Sequence, residues 1–279
     1  MFKEMKIRIF VVLMIVFALA VEWILSLYDI PENYKRIISD FVSFELVALL
    51  FFGYYFYRYK SPLRTVVSDK NVDTSFLSVL AIALIFNTFS LTTFWVYLVI
   101  EDSFFQLDPF IVEPSNETVL FLIVSMVVTT VTGPIAEEFV FRGLLLNRLI
   151  KKTNMWAGIL ISSLAFAAIH MQAEKMLATF IFGILASLIY LKTKNLFIPI
   201  LIHIVHNGFT LFQEFFFPSW IETLFLVSTD DLYVNVVLKS TFLVVSLLLL
   251  ILIIMYLARS IYSDRRKRDV LSQPVGVSQ

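Results

Sequence analysis

Long apolar blocks separated by short polar stretches set the pattern of this chain. Blocks of 18 or more apolar residues mark spanning helices. Eight such blocks can be read, at about 7–28, 38–57, 75–100, 117–136 continuing to 150, 154–171, 175–191, 195–212 and 239–261. The expected fold is all-α: a polytopic integral membrane protein with about eight transmembrane helices. It forms one membrane domain rather than a soluble core with an anchor. The fourth block contains Gly133-Pro134, which has two readings. A new helix starting at Pro134 would waste no N–H, because the first turn has no intrahelical acceptor for it. Glu137 would then stand near the positive end of that helix. The other reading is one long helix kinked at the proline.

The polar stretches divide the chain. Residues 58–74 and 101–116 are loops, the second acidic and holding Pro109 and Pro114. Residues 213–238 carry Phe215, Phe216, Phe217, Pro218 and Trp220, a composition suited to an interfacial anchor. The expected organisation is N-terminal helices and loops over 1–116, a catalytic segment over 117–212, an outer segment with the last helix over 213–261, and a disordered cytoplasmic tail over 262–279. No small-residue cleavage site follows Tyr28, so the first helix reads as retained rather than as a signal peptide.

Composition and charge sharpen this picture. The chain is 59% hydrophobic with 29 Phe, has 16% charged residues, no Cys and a net charge of zero. Disulfides, thiolate metal sites and cysteine nucleophiles are excluded, and nothing points to nucleic acid. Of 22 basic residues, 17 fall before the first helix or after helices two, four, six and eight. Only Lys35, Arg36, Lys175 and Lys239 fall in the alternate loops, and Arg142 lies inside a helix. The positive-inside rule then predicts both termini in the cytoplasm of a cell membrane. The run Arg265, Arg266, Lys267, Arg268 adds attraction to anionic lipid.

The candidate chemistry is concentrated in helices four to seven. Ionised groups at membrane depth are costly, so they face one another or a cavity and mark function. Glu138 and Arg142 are four apart with the glutamate N-terminal, the better order for a helical ion pair. Glu137 points about 140° away from Arg142 and is left free for other work. Both glutamates serving one structural salt-bridge network is the competing reading. Phe166 and His170 are four apart on helix five. Counted from a turn near Thr153, Glu137 and His170 reach the same height, about 25 Å along their helices. A carboxylate and an imidazole facing each other can activate one water as a general base. His203 and Asn207 are four apart on helix seven, and their N–H groups suit a developing oxyanion. An interhelical hydrogen-bonding pair is the alternative. His206 lies near the same face. Straight helices would leave His203 and His170 at different depths, so a tilt or a break at Pro134 has to bring them together. Phe166 reads as packing around the site. Glu22, Asp40, Glu45 and Asn87 read as polar groups that pair across helices or sit near interfaces.

Glu-Glu-x-x-x-Arg at 137–142, Phe-x-x-x-His at 166–170 and His-x-x-x-Asn at 203–207 together resemble the three motifs of the CPBP family. These CAAX-protease and bacteriocin-processing intramembrane proteases, also called Abi, include the eukaryotic type II CAAX prenyl protease. The resemblance covers residues 117–212. It implies a membrane endopeptidase in which Glu137 and His170 activate water, His203 and Asn207 bind the oxyanion, and Glu138 and Arg142 support them. The family has been labelled both metalloprotease and metal-independent glutamate protease. No H-E-x-x-H is present, so the expectation is no cofactor. Zinc held by Glu137, His170 and His203 is the alternative. The implied partners are a membrane-associated peptide or protein substrate and the lipid bilayer. Composition resembles the bacterial members, linked with bacteriocin maturation, immunity or peptide-signal processing. Two other classes compete: a proton- or cation-coupled transporter using Glu137 and His170 as a relay, and a non-catalytic membrane immunity or scaffold protein. A transporter would favour a second broken helix in the other half of the chain, and none can be read.

Overall fold

The structure is a computed structural model that describes residues 5–60, 75–105, 118–170, 172–216 and 232–271. Among these residues eight helices follow one another. They are α1 (Ile7–Ser26), α2 (Tyr34–Tyr59), α3 (Phe76–Phe105), α4 (Val119–Lys152), α5 (Met155–Ile169), α6 (Ala173–Thr193), α7 (Phe197–Phe216) and α8 (Leu232–Leu271). Six of them, α1 to α4, α6 and α8, are long and apolar enough to cross a membrane. The chain is therefore a multi-pass membrane protein, and every predicted block is a helix.

The two shorter helices are informative. α5 has 15 residues, so it rises about 22 Å, short of a hydrocarbon core of roughly 30 Å. It stops at His170, whose backbone N–H closes the last turn on Ala167. The helix ends where the candidate chemistry begins.

α4 is one helix, and no break occurs at Gly133-Pro134. Gly133 itself is helical, at φ −57° and ψ −60°. The proline is accommodated by a wide, π-type turn over Val128–Thr132, in which the Gly133 N–H bonds back five residues to the Val128 carbonyl. Such turns relax the crowding that a proline ring imposes on the preceding turn. Glu137 is therefore not on the first turn of a new helix, and the helix-dipole argument for it does not apply. A second π-type stretch spans Phe139–Leu146. There Asn147 Nδ2 donates to the Arg142 and Gly143 carbonyls at 3.0 and 2.9 Å, and lies 3.0 Å from the Tyr190 hydroxyl.

Short capped turns make α4 to α7 an antiparallel set. Asn154 caps α5 by accepting from the Ala157 N–H at 2.9 Å. Lys194 closes α6 in the left-handed conformation (φ 53°), and Asn195 Oδ1 accepts from Phe197 N–H at 2.8 Å. α5 and α6 are closely packed; α3 lies against α6, α7 and α8, and α2 lies against α1 and α4. The core is aromatic, with Phe52 on Phe139, Phe86 on Phe182, and Phe141 on Phe166, each pair of ring centroids 5.1 Å apart. Three of the four polar residues noted in the early helices, Glu22, Glu45 and Asn87, pair across helices. Ser39 Oγ donates to Glu22 at 2.6 Å, Thr132 Oγ1 donates to Glu45, and Asn87 Nδ2 donates to Gln213 at 3.3 Å.

The last helix departs from expectation. α8 continues past residue 261 to Leu271, through the basic run expected to be a disordered tail. Lys192 Nζ pairs with Asp264 at 2.8 Å and Trp156 Nε1 donates to the Tyr262 hydroxyl at 3.0 Å, fastening this end to α5 and α6. Residues 58–59 and 101–105, expected in the loops 58–74 and 101–116, are helical and extend α2 and α3; residues 61–74 and 106–116, together with Phe217, Pro218 and Trp220 of the expected anchor and residues 272–279, lie outside the described residues.

The α5–α6 contact yields a test of the packing. A Cβ built on Gly183 would stand 2.9 Å from the Ser163 Cα, backbone that cannot swing away. Gly183→Ala should cost about 1–3 kcal/mol, the usual range for overpacking, read as a lower melting temperature in detergent. Gly53→Ala, with nothing within 4 Å of the new methyl, should leave it unchanged.

Candidate active site

The site is built from the middle of α4, the end of α5 and the face of α7. Glu138 and Arg142 are one turn apart on α4, with Arg142 Nη1 donating to Glu138 Oε1 at 2.9 Å. Both side chains are buried, at 0% and 1% exposed. The guanidinium lies over the Phe166 ring at 4.5 Å from its centroid and near Phe182 at 5.6 Å. The charge is thus held by a carboxylate on one side and aromatic faces on the other.

His203 of α7 stands between the two glutamates. Its Nδ1 is 3.2 Å from Glu138 Oε1. An ionised carboxylate only accepts, so Nδ1 carries the proton. Its Nε2 faces Glu137 Oε2 at 3.7 Å, longer than a hydrogen bond. Glu137 Oε2 is buried and has no hydrogen-bond partner. The two carboxylates therefore separate as their helical positions predict: Glu138 is committed to Arg142 and His203, and Glu137 is uncommitted.

His170 is oriented by its own helix. Its Nδ1 is 2.8 Å from the Phe166 carbonyl. A carbonyl can only accept, so Nδ1 donates, and the neutral ring then presents the lone pair of Nε2. No hydrogen bond or ion pair joins His170 to Glu137 among the described residues. The link between His170 and His203 is the Phe166 ring, at 4.9 Å from the first and 6.0 Å from the second. Both histidines thus pack on one ring, and α4 runs past them without a break.

Asn207 is placed by the wide turn of α4. Gly133 N–H bonds to Val128, and Pro134 has no N–H, so neither neighbour supplies the Thr129 carbonyl from within the helix. Asn207 Nδ2 donates to it at 2.9 Å. In lipid every backbone group has to be satisfied inside the protein. One amide hydrogen of Asn207 is thus used structurally, and the second remains. His206 packs edge-on to Phe86 at 4.7 Å and its ring lies 6.3 Å from that of Phe182. No group of three His, Asp or Glu side chains among the described residues is placed to hold a metal ion, the set of Glu137, His170 and His203 included.

One participant escaped the sequence reading. Phe182 of α6 packs at a tilt 4.5 Å from the His203 ring, but nothing distinguishes it among 29 Phe. Glu45 of α2, read as a polar group pairing across helices, reaches the wide turn of α4.

Comparison with known proteins bears on these same helices. Residues 119–209 match the family model described as Type II CAAX prenyl endopeptidase Rce1-like. The similarity is confined to this segment. The segment contains all seven candidate residues, and the resemblance carried by the three motifs holds over it. Three curated relatives are similar here. The "Putative membrane peptidase YdiL" of Bacillus subtilis is 32% identical over 89 residues, covering 32% of this chain and 36% of that protein. The "Membrane-embedded CAAX protease MroQ" of Staphylococcus aureus is 35% identical over 96 residues, covering 32% and 39%. An "Uncharacterized 24.3 kDa protein" of Escherichia coli is 32% identical over 87 residues, covering 29% and 40%. The chain thus spans less than half the length of each relative. No solved structure matches.

The arrangement separates the roles of the two glutamates. Glu138→Gln should destabilise the fold by about 3–5 kcal/mol, because it leaves Arg142 buried without its counter-charge. Glu137→Gln should leave stability nearly unchanged. Detergent thermal melts of both variants check this; equal losses would contradict it.

Proposed function

We propose that the protein is an intramembrane endopeptidase that hydrolyses a peptide bond in a membrane-associated peptide or protein. The observation that carries this is the Glu137 carboxylate: its Oε2 is buried without a hydrogen-bond partner and faces His203, whose Nδ1 is already held by Glu138, while Glu138 itself is paired with Arg142. The Rce1-like match over the same helices and the names of two of the relatives support the same class of reaction.

In this reading Glu137 takes a proton from a water, with Nε2 of His170 accepting from the same water to orient it. The water oxygen attacks the scissile carbonyl carbon, and the carbonyl oxygen becomes an oxyanion. Nε2–H of His203 in its charged form and the second amide hydrogen of Asn207 donate to that oxygen. With His203 charged, Glu137, Glu138, Arg142 and His203 carry no net charge together. The proton held by Glu137 passes to the leaving nitrogen as the C–N bond breaks, so the step balances without a further reactant. Glu138 holds His203 in register, and Arg142 balances Glu138. We place the protein in a bacterial cell membrane with both termini cytoplasmic, on the strength of the basic residues that follow alternate helices.

The test is cleavage of a library of membrane peptides by purified protein, read by mass spectrometry. Glu137→Gln should abolish cleavage with the fold intact. His203→Ala should lower kcat by about 10²–10³-fold, the usual loss for one oxyanion donor, with KM nearly unchanged. No cleavage by the wild type would refute the reading.

Metal dependence is a separate expectation. Strong chelators should spare activity, and elemental analysis should find zinc well below one per chain. One tightly bound zinc, lost and restored together with activity, would overturn the metal-free assignment.

A further inference from the structure

α2 carries a carboxylate that the proposed chemistry does not use. Glu45 is 7% exposed, on a helix whose neighbouring outward positions are apolar. It lies in a π-type turn, Phe41–Leu46, that packs against α4. Its Oε2 accepts from Thr132 Oγ1, the last residue of the wide turn of α4. Its other oxygen lies against Gly133: a Cβ placed there would stand 3.1 Å from Glu45 Oε1. Gly133 and Glu137 are four apart, one above the other on the same face of α4. Glu45 therefore sits directly beneath Glu137 and against the turn that presents it.

That turn does two things for the site. It frees the Thr129 carbonyl that anchors Asn207, and it sets the rotation of the next turn, which carries Glu137 and Glu138. A π-type turn is less favourable than the α-helix around it and persists where something holds it. Pro134 disfavours ordinary helix there, but a proline alone permits a kink as well. The contact that selects this geometry comes from α2. Gly133 leaves room for this contact, because a methyl group there would crowd both Glu45 and the Val128 carbonyl at 3.1 Å.

We propose that Glu45 is a positioning residue for this site. Through Thr132 it holds the wide turn of α4, and the turn places Asn207 and Glu137 relative to His203. The kinetic part of this inference rests on the peptidase reading; the geometric part does not. A misplacement of about 1 Å can cost 10²-fold in rate.

The experiment uses the full chain in detergent. Thr132→Val keeps the shape and removes the hydroxyl, and should lower kcat by about 10–100-fold with KM within about twofold. Thr132→Ser should restore most of the activity. Glu45→Gln keeps an acceptor for Thr132 and should retain most activity, whereas Glu45→Ala should lose it. The second readout is independent of proteolysis. In protein labelled with ¹⁵N-asparagine, the Asn207 side-chain amide is assigned by its loss in Asn207→Asp. It should shift in Thr132→Val and stay in place in Glu22→Gln, a control on the exposed end of α1. An unmoved Asn207 resonance in Thr132→Val overturns the proposal. So does a parallel loss of activity and melting temperature that Thr132→Ser fails to restore. A wild type that cleaves nothing while the resonance responds sinks the peptidase reading and leaves Glu45 as the clamp.

Discussion

A guanidinium at 1% exposure inside a membrane bundle has to be neutralised by its own chain. Arg142 meets this requirement with Glu138 one turn away and with the faces of Phe166 and Phe182. The requirement propagates. Because Glu138 is tied to Arg142, its Oε1 is in a fixed place and can orient His203 from another helix. Because Phe166 has to lie under the guanidinium, it also lies between the two histidines. One buried charge thus fixes the relation of α4, α5, α6 and α7, the four helices that carry the Rce1-like match.

The second constraint is on the backbone. Pro134 removes a donor from the middle of a spanning helix, and lipid offers no replacement. The helix responds by widening rather than breaking. The carbonyl that this leaves at Thr129 is taken by Asn207, which ties α7 to α4 about one turn of α7 beyond His203. In the proposed mechanism the polar atoms of this site serve the fold and the chemistry together: Asn207 would use one hydrogen for each, and His203 one ring nitrogen for each. A site of this kind loses structure when it loses chemistry, unless the substitution keeps the hydrogen bond that the fold needs.

The helices were legible because 18-residue apolar runs have few other fates in a chain that is 59% hydrophobic. The separation of Glu137 from Glu138 was legible too, because it depends only on 100° per residue and on Arg142 four positions on. The fate of Gly133-Pro134 was not. A break, a kink and a wide turn satisfy the same local sequence, and the choice is made by Glu45 and Asn207, which lie 88 residues before and 74 after Gly133 in the chain. The neighbour of Glu137 on α7 was equally hidden: His203 stands 3.7 Å from its Oε2, and sequence spacing carries no rotation between helices. The end of α8 was misjudged because a basic run looks solvated; Lys192 and Trp156 from other helices hold it in place.

Both histidines of the motifs have Nδ1 committed to a fixed acceptor, a backbone carbonyl for His170 and a carboxylate for His203. That shared arrangement leaves each ring with a single atom, Nε2, for anything else. A neutral ring in this tautomer can only accept at Nε2. Two neutral histidines would therefore give the site two acceptors and leave Asn207 as the one donor to an oxyanion. Only the ring between two carboxylates has neighbours that would balance a second proton, and that ring is His203. In the proposed mechanism the division of labour between the histidines follows from what holds Nδ1: the carbonyl of Phe166 keeps His170 an acceptor for water, and Glu138, with Glu137 across the ring, would allow His203 to donate. The pair of carboxylates that looks redundant in the sequence is what would set His203 apart from His170.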